Sequence, residues 1–252
     1  MRCRLVLLSL LALVHAANAA PETESAAAER IKATIEERYP GSVIESILPA
    51  AAIPGWYEVV TSANVAYTDA KADYLLIGNL TDTRTKEDLS GRRWSQLHAI
   101  DFKTLPFDRA IKVVKGDGSR VLAVFADPDC PYCRKLEHEL QGLTNLTLYT
   151  FLFPITELHP EAIKHAEQIW CATDAAASWA GWLLQNTPLA DKHCDNTPVA
   201  ELAALGAKLK ITGTPTLFLA DGTRVIGAID KADLERRLVA ASAVPREVSA
   251  PK

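Results

Sequence analysis

The chain has 252 residues, of which 48% are hydrophobic and 23% charged, and its formal net charge is −4 at pH 7. This length allows one large domain or two smaller ones, each able to bury a core. The charge is mildly acidic and no basic cluster interrupts it, so the sequence does not indicate binding to nucleic acid or to an anionic membrane.

The first residues are typical of a secretory signal peptide. Arg2 and Arg4 form a basic start, Leu5 to Val14 is apolar except for one serine, and Ala17-Asn18-Ala19 is a small-residue cleavage signal. We therefore expect residues 1–19 to be removed on export to an oxidising compartment. Removing Arg2 and Arg4 lowers Lys plus Arg from 27 to 25, which against 31 acidic residues changes the formal charge to −6.

Four cysteines remain after such a cleavage, because Cys3 is lost with the leader. An even number in an exported protein suggests two disulfides, with three possible pairings. Cys130 and Cys133 form a C-x-x-C motif. If that close pair closes on itself, Cys171–Cys194 is the simplest second bond.

Residues 20–85 predict a small domain with one helix and an antiparallel sheet. At about 65 residues it is of marginal size for a single stable core, and a sheet of few strands leaves edges exposed. Self-association would solve both problems; the alternative is a lone small domain stabilised by the rest of the chain. The predicted elements are a helix over 21–39 and strands near 43–48, 56–61, 64–68 and 74–79.

A linker helix is predicted over 86–106. The polar stretch 81–91 indicates a domain boundary, and Trp94, Leu97, Ile100 and Leu105 follow at roughly helical spacing. We expect one apolar stripe and an otherwise solvated surface, although a charged linker that only happens to contain Leu and Ile is the alternative.

Residues 107–241 predict a larger α/β domain. A Gly-rich turn at 115–119 between two apolar stretches predicts a β-hairpin. The residues from 242 to 252 contain two prolines and predict a disordered tail. The other predicted elements are the C-x-x-C helix, a strand over 146–153, a helical stretch over 160–184, a helix over 197–209, a hairpin turning at Asp221-Gly222 and a helix over 231–240.

The C-x-x-C motif lies where an apolar strand, Val121 to Phe125, turns into a helix. Cys130 is then expected at the helix N-terminus, where free N–H groups and the positive end of the dipole stabilise a thiolate. This makes Cys130 the nucleophile and Cys133 the thiol that resolves a mixed disulfide. A zinc site is disfavoured because no second C-x-x-C follows. An inert disulfide is the other alternative.

The order of elements, with Thr214-Pro215 entering a hairpin, resembles a thioredoxin-like fold. The stretch Phe125 to Leu136 and Gly213-Thr214-Pro215 are similar to the DsbC/DsbG family of periplasmic thiol–disulfide isomerases. Cys171 and Cys194 fall in the helical insertion, where the DsbC branch has its second disulfide. The dipeptide Pro131-Tyr132 departs from the Gly-Tyr commonest in DsbC and matches DsbG.

The resemblance implies an α+β/α/β protein, in which a small cystatin-like dimerisation domain and a linker helix precede a thioredoxin-like catalytic domain. It implies a V-shaped periplasmic homodimer that acts on unfolded or misoxidised secreted proteins, has chaperone activity, needs no cofactor and is kept reduced by a membrane reductase of the DsbD type. In that fold the Thr-Pro peptide is cis and lies against the C-x-x-C motif. Thr214, Pro215 and Tyr132 are then the expected substrate-binding residues, and Cys171–Cys194 the expected structural disulfide.

Thioredoxins carry a buried aspartate six residues before the first cysteine, and that position here is Val124. Asp127 and Asp129 are expected to be solvated or helix-capping, so no proton acceptor for Cys133 is evident. The histidines His138, His159, His165 and His193 are expected on the surface, with no metal. The alternative functions are a DsbG-like sulfenic acid reductase, a dithiol oxidase, a dimeric chaperone with secondary thiol chemistry and a thiol metallochaperone.

Overall fold

The computed structural model describes residues 23–243 except residue 63. The predicted signal peptide, 1–19, and most of the predicted tail lie outside the described residues. The chain divides into two compact units between Gly78 and Asn79.

The first unit contains one helix and one antiparallel sheet. Helix α1 spans Glu24–Arg38 and begins after Thr23, whose hydroxyl accepts a hydrogen bond from the Ala26 N–H at 3.2 Å. The four strands lie in sequence order and each is antiparallel to the next: β1 (Ser46–Pro49), β2 (Trp56–Val60), β3 (Val65–Asp69) and β4 (Leu75–Leu76).

The core of the first unit is small. Ile31 and Ile35, one turn apart on α1, pack against Ile47 of β1 and Val59 of β2. The edge strand β4 pairs with β3 over two residues, and the side chains of Tyr74, Leu76 and Ile77 around it are exposed. This unit therefore leaves apolar surface at the edge of its sheet.

The second unit is built on a five-stranded mixed sheet in the order β5-β7-β6-β8-β9. Its strands are β5 (Ile111–Lys115), β6 (Arg120–Ala126), β7 (Leu146–Leu152), β8 (Thr216–Leu219) and β9 (Arg224–Ile226). The helices are α2 (Leu89–Leu97), α3 (Pro131–Gln141), α4 (Ala162–Trp170), α5 (Ala175–Gln185), α6 (Val199–Lys208) and α7 (Lys231–Ala243).

The predicted hairpin between β5 and β6 is wrong, because β7 lies between them. β5 is antiparallel to β7, and β6 is parallel to it. The turn between β5 and β6 crosses the start of β7, where the Thr147 hydroxyl donates to the Gly118 carbonyl at 2.8 Å. Gly116 has φ +60, and a Cβ there would lie 2.3 Å from the Asn145 Oδ1, so the crossing requires glycine.

The central strands carry the core up to the point where the C-x-x-C motif begins. The Phe125 ring of β6 stacks on Phe151 of β7 with centroids 4.8 Å apart, and it meets Phe218 of β8 edge-on at 5.8 Å. All three side chains are fully buried. Because β6 is fixed on both sides, the residues that follow Ala126 leave the sheet from a rigid base.

The predicted linker helix is shorter than expected and is part of the second unit. Helix α2 ends at Leu97, and the chain then pairs with the β8–β9 turn through a hydrogen bond from the Ile100 N–H to the Gly222 carbonyl at 3.0 Å. Phe102 and Leu105 are buried in the core of the second unit. These contacts replace the solvated surface that the sequence pattern predicts.

Two further predictions differ in detail. The helical stretch predicted over 160–184 is two helices, because α4 ends at Trp170 and α5 begins at Ala175. Helix α7 continues to Ala243, so residues 242 and 243 of the predicted tail are helical. Within residues 23–243, no helix is both long and apolar enough to cross a membrane.

Candidate active site at the C-x-x-C turn

Cys130 is the N-cap residue of α3. Its backbone is extended, with φ −74 and ψ 122, and Pro131 follows at the first helical position, where a missing N–H costs nothing. The Arg134 N–H donates to the Cys130 carbonyl at 3.1 Å, as the first bond of the helix. The Cys130 sulfur therefore lies at the N-terminus of α3, where the dipole favours negative charge.

The two thiols are free and close together, and their pKa values move in opposite directions. The hydrogen bond from Cys133 lowers the pKa of Cys130 from 9.0 to about 5; burial opposes this, and Thr214 contributes further. Burial raises the pKa of Cys133, and the neighbouring Cys130 raises it further. At neutral pH, Cys130 is therefore a thiolate and Cys133 a thiol.

Both sulfurs are shielded from solvent and contact the backbone of neighbouring loops. Cys130 is 5% exposed and Cys133 2% exposed. The Cys130 sulfur lies 3.4 Å from the Thr214 carbonyl oxygen, to which the protonated thiol donates. The Asp127 N–H donates to the Cys133 sulfur, also at 3.4 Å.

The predicted substrate-binding residues occupy different environments. The Thr214–Pro215 peptide is cis, as the resemblance implies, and it brings Thr214 against Cys130. Pro215 is buried, and its carbonyl accepts a hydrogen bond from the Gly227 N–H at 2.8 Å. The Tyr132 side chain is exposed beside the cysteines.

The turn before Cys130 is held by three side chains from the segment that follows β7. His159 contacts the Asp127 carboxylate, with 2.9 Å between Nδ1 and Oδ2. The indole N–H of Trp182 donates to the Pro128 carbonyl at 2.9 Å. His165 contacts the Asp129 carboxylate at 2.8 Å. Each of the residues 127, 128 and 129 is therefore held by a contact of its own.

These contacts correct the expectation for the aspartates and for two of the histidines. Asp127 is completely buried, and its carboxylate also accepts hydrogen bonds from the N–H groups of Asp129 and Ile155, at 2.8 and 2.7 Å. The side chains of His159 and His165 are only 20% and 21% exposed. Their partners are more than 30 residues away in the chain, so no local pattern reveals the pairs. His138 and His193 are exposed, as expected.

The second cysteine pair and a buried carboxyl group lie in the helical insertion. Cys171, the C-cap of α4, is bonded to Cys194 across 23 residues. Within the loop that this bond closes, the Trp179 indole N–H donates to Glu137 of α3 at 3.0 Å. Burial raises the pKa of Glu137, although the Trp179 hydrogen bond opposes this. Within residues 23–243, no group of three or more His, Cys, Asp or Glu could hold a metal ion.

Two protein-family models match the chain. A model of a thioredoxin-like domain matches residues 107–242, and a model of the disulfide bond isomerase protein N-terminal domain matches residues 15–91. The solved structure of a disulfide interchange protein from Neisseria gonorrhoeae is 38% identical, with a TM-score of 0.53, and the match covers 55% of this chain and 99% of that chain.

Curated relatives agree with these matches. The probable thiol:disulfide interchange protein DsbC of Bordetella pertussis is 38% identical over 211 residues, which cover 84% of this chain and 74% of the relative. The thiol:disulfide interchange protein DsbC of Escherichia coli is 27% identical over 187 residues, which cover 72% of this chain and 76% of the relative.

The fold and the two opposed thiols define a thioredoxin-like thiol–disulfide oxidoreductase. The chain belongs to the DsbC family of thiol:disulfide interchange proteins. The predicted family, fold class and thiol–disulfide isomerase activity are confirmed. The roles of the individual site residues and the chaperone activity stay predictions.

Proposed function

We propose that the chain rearranges non-native disulfides of secreted proteins in the periplasm, through a mixed disulfide on Cys130. It acts as a homodimer, holds unfolded chains as a chaperone, and is returned to the reduced state by a membrane reductase of the DsbD type. The single observation that carries the proposal is the opposite displacement of the two thiol pKa values, to about 5 for Cys130 and upward for Cys133.

The first step is attack by the Cys130 thiolate on one sulfur of a substrate disulfide. A bond forms between Cys130 and that sulfur, the substrate S–S bond breaks, and its electron pair leaves on the second substrate sulfur, which then takes up a proton. The low pKa makes Cys130 a good leaving group as well, so the mixed disulfide is easily broken by the next thiolate.

The second step separates isomerisation from reduction. Only a thiolate attacks a disulfide, and the raised pKa of Cys133 keeps it protonated. The mixed disulfide therefore persists until another substrate thiolate attacks the substrate sulfur that is bonded to Cys130. A new substrate disulfide forms, the bond to Cys130 breaks, and the rearranged protein leaves while Cys130 returns to the thiolate. When Cys133 attacks instead, the substrate leaves reduced and the Cys130–Cys133 disulfide forms.

Substrate binding is assigned to the surface around Cys130. The backbone on either side of the Thr214–Pro215 peptide would receive an extended substrate segment by strand addition, and the exposed Tyr132 would contact its side chains. Thr214 supports this assignment because its carbonyl already lies next to the sulfur that reacts.

The test is refolding of a scrambled multi-disulfide protein by the full mature chain and by two single variants. Cys130→Ala should reduce the rate to background, because no nucleophile remains. Cys133→Ala should keep part of the isomerisation and accumulate mixed disulfides, detected by mass spectrometry. Reshuffling that survives Cys130→Ala would refute the mechanism, and rapid net oxidation of a reduced substrate would favour the dithiol oxidase.

Dimerisation is assigned to the first unit, whose sheet exposes apolar side chains around its edge strand β4. A second copy of the same unit would extend the sheet and cover them. Ile77→Lys is expected to convert the dimer into monomers in light scattering, because it places a charge at this edge. The matched control is Val114→Lys on β5, an edge strand of the other sheet, where the exposed apolar side chain has no assigned partner. A chain that remains dimeric after Ile77→Lys contradicts the assignment.

A further inference from the structure

Asp127 connects the two cysteines to a histidine. Its N–H donates to the Cys133 sulfur at 3.4 Å, and its carbonyl accepts from the Cys130 N–H at 3.3 Å. Its side chain points to His159 instead, with 2.9 Å between Oδ2 and Nδ1. One residue thus contacts both members of the C-x-x-C motif and the histidine.

The Asp127 carboxylate is an anion beside the site where a second anion must form. It is 0% exposed, so water does not screen its charge. Two N–H groups and the His159 ring compensate it. Without a positive charge on that ring, the carboxylate would oppose ionisation of the Cys130 thiol, since a like charge nearby raises the pKa of an acid.

The charges around His159 interact with one another. Its pKa is raised, first by the hydrogen bond to Asp127, while burial opposes the shift, and then by the charges of Asp127, Cys130 and Asp129. Asp127 and Asp129 come from the turn and Cys130 from the start of α3, and these are the ionisable groups that act on the ring. Interaction free energies are reciprocal. If the negative charge of the thiolate favours protonation of the ring, the protonated ring stabilises the thiolate by the same amount.

We propose that protonated His159, held by Asp127, is a positioning residue that supplies the positive charge favouring the Cys130 thiolate. This inference rests on the proposed thiol-exchange function, and it concerns the ionisation of Cys130 rather than a proton acceptor for Cys133. It assigns a role to a residue that touches neither sulfur.

The exchange step changes the charge near His159. When the Cys130 thiolate attacks, its sulfur forms a bond to one substrate sulfur and the other substrate sulfur leaves with the electron pair. The negative charge on Cys130 is lost, so His159 holds its proton less tightly. The leaving thiolate takes up its proton from solvent, and the products are the mixed disulfide and a substrate thiol. The hydrogen bond to Asp127, the largest cause of the raised pKa of His159, persists.

The first experiment measures the ionisation of Cys130 in the full chain, by the pH dependence of its alkylation. His159→Asn preserves a side-chain N–H for Asp127 but removes the positive charge. It should raise the pKa of Cys130 by about one unit, and shift the equilibrium with glutathione about tenfold towards the disulfide, since one pKa unit corresponds to a tenfold change. Asp127→Asn combined with His159→Asn should reverse most of this shift, because both charges of the pair are then absent.

The chain offers a matched control in His165→Asn. His165 has nearly the same exposure as His159 and also binds an aspartate of the same turn, but Asp129 is 18% exposed, so water screens that pair more strongly. The control should move the pKa of Cys130 by less than half as much. An equal shift in both variants would mean that only the geometry of the turn matters, and would overturn the proposal.

The second experiment uses the unsubstituted chain, so it holds even if a variant fails to fold. NMR titration of the His159 ring should give a higher pKa in the reduced protein than in the Cys130–Cys133 disulfide form, which has no thiolate. Equal values in the two forms would overturn the proposal. Failure of the proposed function is recognised separately: reshuffling of scrambled substrate would be absent from the unsubstituted chain, whatever the two pKa measurements give.

Discussion

In each cysteine pair the first cysteine lies at the end of a helix, but the two ends are opposite. Cys130 is the N-cap of α3, and Cys171 is the C-cap of α4. The positive end of a helix dipole stabilises a thiolate, and the negative end disfavours it. The same residue type is therefore a reactive thiolate in one pair and part of a closed disulfide in the other.

The surroundings of the pairs extend this contrast. Cys130 and Cys133 are buried and reduced, and their pKa values are displaced in opposite directions. Cys194 lies on an exposed loop, and its bond to Cys171 closes the segment that contains α5. The first pair is arranged for thiol–disulfide exchange, and the second holds a loop. A count of cysteines in the sequence does not distinguish these two roles.

The largest expected effect comes from removing the second pair. Cys171→Ser together with Cys194→Ser should lower the free energy of unfolding by about 3 kcal/mol, because a loop of this size is no longer constrained in the unfolded chain. Isomerase activity of the folded fraction should stay within about twofold, since these cysteines lie outside the C-x-x-C turn. Urea unfolding and the refolding assay measure the two quantities on the same samples.

The matched comparison is Cys130→Ser together with Cys133→Ser, compared with the reduced parent chain. This variant should lose activity completely, whereas its stability should change by less than the loss of the disulfide produces. If removing Cys171–Cys194 abolished the activity of folded protein, the division between an exchanging and a holding pair would be wrong.

A second, smaller effect compares the reactivity of single thiols. In a Cys171→Ser variant, Cys194 becomes a free, exposed thiol, and its pKa should be near the ordinary value of about 8.5. At pH 6 Cys130 should react with iodoacetamide roughly tenfold faster, because its larger thiolate fraction outweighs the weaker nucleophilicity of a low-pKa thiolate. Mass spectrometry of the two modified peptides gives the rates.

The pH profile sharpens this comparison. The alkylation rate of Cys130 should have its midpoint near pH 5, the value to which its pKa is lowered, and should remain constant well above that pH. The rate for Cys194 should continue to rise, so that the order of reactivity reverses above about pH 7. A midpoint for Cys130 near that of Cys194 would remove the basis of the contrast.

The sequence predicts most elements of both units, because each rests on a local pattern. The strand, the capping position and the C-x-x-C spacing are all within twelve residues of Cys130, and the helix N-terminus follows from them. The order of strands does not follow, since two apolar stretches around a Gly-rich turn predict a hairpin whether or not a third strand lies between them. The position of β7 between β5 and β6 is set by packing of the whole domain.

The surroundings of the cysteines were predicted less well, for a related reason. Asp127 is two residues from a proposed cap and two from the end of the predicted apolar strand, and an acid at such a turn is usually solvated. Its burial depends on His159 and on the Ile155 N–H, which the fold brings from 32 and 28 residues away. Polar residues that are buried by distant parts of the chain leave no periodic signal.

The smallest predicted effect concerns the contact between the segment closed by Cys171–Cys194 and the helix that carries the C-x-x-C motif. Trp179 lies in the loop closed by Cys171–Cys194, and its N–H donates to Glu137, one turn after Cys133 on α3. Because burial raises the pKa of Glu137, the folded chain binds this proton more tightly than the unfolded chain does. Stability is therefore lost as the pH rises from the ordinary value of 4.5 through the raised pKa.

Glu137→Gln removes this dependence, since the amide is neutral at every pH and its oxygen still accepts the Trp179 hydrogen bond. The variant should match the parent chain below about pH 4 and be modestly more stable at pH 7, in urea unfolding followed across that range. Glu157→Gln, at an exposed position, should leave the pH dependence unchanged. If Glu137→Gln instead destabilises the chain at pH 7, the ionised carboxylate supports the contact between α3 and α5, and the region closed by the disulfide depends on a charge.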